Sequence, residues 1–115
     1  MDCDPTSFRI EYEPRGAQAS ALISGQVTDW DNRKSKGLAN AAISVTNVGD
    51  PAIHYSAISN KHGAFQFDPP AGIYNLAASL GGFHDARISG FLVPRENTTQ
   101  IKVLTTNQGA IHLCQ

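Results

Sequence analysis

The 115-residue chain is predicted to fold as a single antiparallel β-sandwich of about seven core strands, all-β in class. Three observations predict this. Apolar residues recur with a period of two in short runs, as in Ala64-Phe65-Gln66-Phe67 and in Ile73 to Leu80. That alternation buries one face of a strand and leaves the other in water. The runs are separated by clusters of glycine, proline and asparagine, which end strands and form turns. No stretch carries a helical period of any length. Ala17 to Ala21, the one helix-tolerant patch, is too short to stand as a helix alone.

Each run fits that class in turn. Ser7 to Glu13 alternates with Phe8, Ile10 and Tyr12 on one side, so it is predicted to be a strand with one solvated face, stopped by Pro14. Ala21 to Asp29 follows, with Ile23, Gly25 and Val27 inward, and then a polar loop from Trp30 to Gly37. Ala42 to Val48 directs Ile43 and Val45 inward, and Gly49-Asp50-Pro51 turns the chain. Ala52 to Ser59 has mixed polarity, which suits a strand near a sheet edge. Asn60-Lys61-His62-Gly63 is a turn closed by a residue that tolerates positive φ.

Ala64 to Phe67 and Ile73 to Leu80 read as the two strands of a central hairpin. Phe65 and Phe67 share one face, as do Tyr74, Leu76, Ala78 and Leu80, with Phe83 re-entering the core after Gly81-Gly82. Pro69-Pro70 separates the two strands, because proline donates no ladder hydrogen bond. Ile88 to Val93 is a short strand interrupted at Gly90. Thr98 to Thr105 is β-branched and alternating, with Ile101 and Val103 inward. Asn107-Gln108-Gly109 turns once more, and Ala110 to Cys114 can pair as a final short strand.

Composition excludes several classes of function. Net charge is −1 with no basic block, so the electrostatic footprint of a nucleic-acid-binding protein is missing. No apolar run reaches the length of a transmembrane helix, and no membrane insertion is expected. Met1 to Pro5 lacks the basic start and apolar middle of a signal peptide. The two cysteines, Cys3 and Cys114, stand at opposite extremes of the chain, whereas the ends of a domain often lie together in space. A Cys3–Cys114 bridge would imply an oxidising compartment; two free thiols on the chain ends are the competing reading. The expected location is extracytoplasmic (secreted, periplasmic or cell surface), with the cytoplasm as the alternative.

Several of these segments also carry a family pattern. The turn Ser59-Asn60-Lys61-His62-Gly63, then Phe65 and Phe67, then Pro70-Ala71-Gly72 with Tyr74 and Leu76, then Gly82-Phe83 form one continuous motif. Ser24-Gly25-Gln26-Val27-Thr28-Asp29 and Leu38 to Val45 precede it as two further strands. Together they resemble the carboxypeptidase regulatory-like domain, with good motif agreement from Ile23 to Phe83 that fades afterwards. The resemblance implies a transthyretin-like, Greek-key sandwich, to which the runs Ser7 to Glu13 and Ala110 to Cys114 can add strands at either end of the chain. It also implies a non-catalytic role, since the family supplies accessory modules of metallocarboxypeptidases, surface proteins and outer-membrane receptors. The family's acidic turn has Asn60 here. Asparagine keeps the side-chain-to-backbone bond of the turn but loses the charge that an ion would need.

Chemistry-bearing residues are few and scattered. His54, His62, His84 and His112 fall one per element without metal-ligand spacing. Asp29 and Asp31 open like a calcium loop, yet Lys34 and Asn40 occupy the sixth and twelfth places, where glycine and glutamate belong. They remain weak candidates for a looser metal site. No nucleophile elbow and no glycine-rich phosphate loop occurs, so no catalytic residue and no cofactor is assigned. Asn97-Thr98-Thr99 matches the N-glycosylation pattern, which matters only in a eukaryotic secretory setting.

Trp30 could stack on a sugar or anchor a protein partner, with Tyr55 as its only nameable companion, and an exposed patch of Trp30, Tyr55 and Phe91 would favour that reading; a Trp closing one end of the core competes with it. The expected function is a structural or interaction module that binds a protein or glycan surface, or acts as a spacer. A carbohydrate-binding module built on Trp30 is one alternative. A transthyretin-like hydrolase is the other, although the tail Ile111-His112-Leu113-Cys114-Gln115 lacks the Tyr-Arg-Gly-Ser type ending of the hydroxyisourate hydrolases.

Overall fold

A computed structural model describes residues 6–16, 21–29 and 37–105. Within them the chain forms eight strands and no helix: β1 (Thr6–Pro14), β2 (Leu22–Asp29), β3 (Ala42–Asn47), β4 (His54–Ile58), β5 (Ala64–Phe67), β6 (Gly72–Ser79), β7 (Ala86–Val93) and β8 (Asn97–Thr105). They make two four-stranded sheets, here A and B, with orders β1-β8-β2-β5 and β4-β3-β6-β7. The count is eight rather than seven because the N-terminal strand β1 adds to the outside of β8. The pairing is mixed: β2 runs parallel to β8 over its whole length, while every other named pair is antiparallel. The parallel pair arises because strands from opposite ends of the sequence meet at the centre of sheet A. Ala110 to Cys114, the expected final strand, lies outside the described residues.

One expectation fails outright. β5 and β6 are not a hairpin, since β5 pairs with β2 in sheet A and β6 with β3 and β7 in sheet B. The prolines between them give the reason. Pro69 cannot donate to a ladder, and its carbonyl instead accepts the Ala21 amide at 2.9 Å, so the chain leaves sheet A there. β4 is an edge strand, as its mixed polarity predicts.

The core lies between the sheets and follows the alternation. Val27, Ile43, Val45, Phe65, Phe67, Tyr74, Leu76, Ile101 and Val103, all expected inside, are buried. Phe83, expected in the core, is only half-buried in the loop after β6. Gly25 faces Phe65 across the β2–β5 pair. A side chain at Gly25 would begin 2.2 Å from the Phe65 ring, so glycine is what admits a phenylalanine on that layer. Tyr74 is fully enclosed, and its hydroxyl donates to the Pro70 carbonyl at 2.8 Å.

β7 holds a bulge. Tyr74 pairs with Phe91 and Leu76 with Ile88, so the single Asn75 opposes both Ser89 and Gly90. The extra residue shifts the parity of the strand, which lets Ile88 and Phe91 both point inward. Gly90 supplies the positive φ of 66°, and its amide donates to Asn75 Oδ1 at 2.8 Å.

Thr99 sits on the inner face of β8, fully buried, and its hydroxyl has no hydrogen-bond partner among the described residues. A buried hydroxyl without a partner costs about 1–3 kcal/mol of desolvation. Thr99→Val keeps the shape and removes that polar atom. It is expected to raise the unfolding free energy by about 1 kcal/mol in urea titration, and a loss of stability would show the hydroxyl to be bonded.

Candidate functional site

Of the residues singled out from sequence, those that the structure describes do not assemble into one site. Trp30, Asp31, Cys3, Cys114 and His112 lie outside the described residues. Asp29 ends β2, paired in register with Thr105. Tyr55 stands on β4 opposite the buried Val45 and packs against the core instead of presenting its ring to solvent. Phe91 is buried beside Tyr74 on β7, with two strands between it and β4. The two described members of the expected aromatic trio, Tyr55 and Phe91, therefore do not contribute to an exposed patch with each other. Both fall on the inward side of the alternation, where an aromatic ring gains most from burial.

The described histidines, His54, His62 and His84, are dispersed likewise, and no group of three metal-ligating side chains occurs among the described residues. His62 contributes its backbone: its carbonyl accepts Gln26 Nε2 at 3.0 Å. Asn60 Oδ1 accepts the amides of His62 (2.9 Å) and Ala64 (3.0 Å), so asparagine does hold the turn in place of the family's acidic residue. The sequon Asn97-Thr98-Thr99 runs into β8, with Thr99 in the core.

The sheets differ on their outer faces, and that difference marks the candidate site. Sheet A presents long charged or amide side chains: Arg9, Glu11 and Glu13 on β1, Gln100 and Lys102 on β8, Gln66 on β5. Such a face is well solvated. Sheet B presents short, uncharged ones: Ala42, Ser44 and Thr46 on β3, Ser56 on β4, Asn75, Ala77 and Ser79 on β6. Arg87 is its one fixed charge among the described residues. Small side chains leave a depression of about 260 Å³ floored by Ser44, Ser56, Ala77 and Ser79, with a second of about 150 Å³ beside it toward Arg87.

At one end of this face stand Val48, Ile73 and Leu92, each about half exposed. They form a continuous row, because Ile73 pairs with Leu92 and the Val48 amide donates to the Ile73 carbonyl at 2.9 Å. Adjacent exposed aliphatics of this kind favour contact with another surface. His54 lies on the same face, with Nδ1 3.3 Å from Thr46 Oγ1 and Nε2 3.2 Å from Ser56 Oγ. This trio has the outline of a nucleophile and a base. The group behind the imidazole is a hydroxyl, however, and cannot stabilise an imidazolium as a carboxylate does, while His54 and Ser56 are both open to water. No motif announces this face in the sequence. Its signal is compositional: most outward positions of β3, β4 and β6 carry Ala, Ser, Thr or Asn, and none carries the Lys or Glu of a well-solvated sheet.

No curated protein matches the chain at a significant level. The model of the carboxypeptidase regulatory-like domain matches residues 22–106, a span that contains β2 to β8 and leaves β1 as an addition at the edge of sheet A. That match covers most of the chain and agrees with an all-β sandwich whose turn, crossing prolines and Tyr74 carry the family's pattern, and on it the chain belongs to the carboxypeptidase regulatory-like domain family.

Proposed function

We propose that the chain is a non-catalytic interaction module, working outside the cytoplasm, that docks a protein partner on the outer face of sheet B. One observation carries this reading: the exposed face of β4-β3-β6-β7 is almost uncharged and bears the aliphatic row Val48, Ile73 and Leu92. Charged residues are depleted at the centres of protein interfaces, and adjacent exposed aliphatic side chains mark surfaces that another protein covers. A glycan partner suits the hydroxyls of the same face less well, because Tyr55 turns inward and leaves no described aromatic platform.

The test is capture of proteins from the cell envelope of the source, compared between wild type, Ala77→Arg and Lys102→Glu. Ala77→Arg fills the depression and places a charge on it, and is expected to abolish capture. Lys102→Glu alters the opposite face and should leave capture unchanged. Equal capture by all three removes sheet B as the binding face. A glycan array and a hydroxyisourate and ester hydrolysis screen, run with Trp30→Ala and His54→Ala controls, separate the carbohydrate and hydrolase alternatives.

A further inference from the structure

We propose that the chain self-associates as a twofold-symmetric dimer by pairing β1 with β1 of a second copy, which makes sheet A continuous across the two molecules. The surface is distinct from the sheet B face and lies outside the family's matched residues.

The argument begins with the four sheet edges, β1, β5, β4 and β7. An open edge offers a row of unpaired amides and carbonyls, and proteins blunt such edges with short strands, bulges or prolines. β5 has four residues and β4 five. β7 carries the Gly90 bulge, and its Leu92 carbonyl is occupied by the Tyr12 hydroxyl at 2.7 Å. β1 is neither short nor bulged, and the charges it carries, Arg9, Glu11 and Glu13, are of both signs, so a second copy can pair with them. It runs nine residues in unbroken register with β8, from Thr6 opposite Thr105 to Pro14 opposite Asn97, with proline only at the last position. Among the described residues nothing pairs with its other edge.

The side chains of β1 are complementary to themselves. Consider antiparallel pairing about a twofold axis at Ile10, with Ile10 facing its own copy. Arg9 then faces Glu11 of the second copy, and Glu11 faces its Arg9. Phe8 faces Tyr12 in the same way, and Ser7 faces Glu13. Arg9 and Glu11 already stand side by side on the exposed face, 3.2 Å apart, so the axis sets two such pairs against each other with opposite signs adjacent. Phe8 and Tyr12 are 53 % and 43 % exposed, large apolar groups that the neighbouring ring would cover. Other registers are worse. A shift of one residue turns the apolar side of the second strand to the wrong face. A shift of two sets Arg9 against Arg9 or Glu11 against Glu11. An interface of this type is isologous and closes as a dimer.

The test is sedimentation velocity over roughly 1 to 200 µM, where mass action populates a weak dimer. Wild type is expected to shift from monomer to dimer across that range. Glu11→Arg alone and Arg9→Glu alone each turn both cross-strand pairs repulsive, and should weaken association roughly tenfold or more. An equimolar mixture of the two variants restores both pairs and should dimerise at least as well as wild type. Both positions are exposed, so circular dichroism should show each variant folded. A wild type that stays monomeric throughout, a dimer indifferent to both variants, or a mixture that fails to recover overturns the proposal.

Discussion

Tyr74→Ala is expected to lower the unfolding free energy by about 3–5 kcal/mol, as for other large-to-small changes of an enclosed aromatic. Among the described residues Tyr74 is the largest fully buried side chain, and it stands on β6, inside sheet B between Asn47 of β3 and Phe91 of β7. Removing the ring leaves a cavity that two hydrogen-bonded neighbours cannot collapse into without breaking their ladders. A domain of this size holds roughly 5–15 kcal/mol in total, so a large share of its stability goes at once. Tyr74→Phe separates the ring from its hydroxyl. It keeps the packing and leaves the Pro70 carbonyl without its 2.8 Å bond, for an expected loss of about 1 kcal/mol. Urea unfolding followed by circular dichroism reads both variants. An alanine variant as stable as the phenylalanine variant would remove Tyr74 from the centre of the fold.

Gly37→Ala is expected to cost about 3 kcal/mol or more, at or beyond the upper end of ordinary overpacking. The methyl group would begin 1.7 Å from the His62 carbonyl oxygen and 2.2 Å from its carbon, and a peptide group cannot swing aside as a flexible side chain can. Around that contact the Val27 carbonyl accepts the Leu38 amide at 2.8 Å, and the Val27 amide donates to the Gly63 carbonyl at 2.9 Å. Gly63 itself has φ 78°. Three backbone segments therefore meet where only glycines fit, and any shift that relieves Gly37 pulls on the β2 end of sheet A. Gly81→Ala is the matched control, since a methyl there meets nothing within 4 Å and should change stability by less than about 0.5 kcal/mol. Equal behaviour of the two variants in thermal and urea unfolding would rule out the close approach.

The inner face of nearly every strand was legible, because a residue's side of a strand is set by parity within its own segment. Phe65, Phe67, Tyr74 and Leu76 needed nothing else. Strand partners are a different matter, since pairing is chosen by segments distant in the chain. Nothing inside Ala64 to Ser79 states that β5 belongs with β2 and β6 with β3; only the two prolines hinted at a departure, and they fit a hairpin loop as well as a crossing. The parallel union of β2 and β8 was invisible for the same reason. Gly90 could be read as an interruption, but its effect on parity depends on Asn75 across the sheet. The candidate site was hard to read on a simpler ground. Single aromatics such as Tyr55 and Phe91 look the same in sequence whether they cap a core or recognise a ligand, and the face of Ser44, Ser56 and Ala77 carries no residue that a motif search would stop at.

The position of β8 between β1 and β2 has a mechanical consequence. Thr6 and Thr105 lie at the same end of the antiparallel β1–β8 pair, so tension applied through these two residues opens that pair one rung at a time, like a zip. Once β1 has peeled away, the load passes to Leu22 and Thr105, at opposite ends of the parallel β2–β8 pair. All rungs of that pair then bear the force together, in shear. Under load the domain would thus give way in two stages, first by paying out the chain from β1 to β2 at low force, then by resisting at a clamp in the middle of sheet A, a sequence of events suited to a spacer that must extend before it breaks.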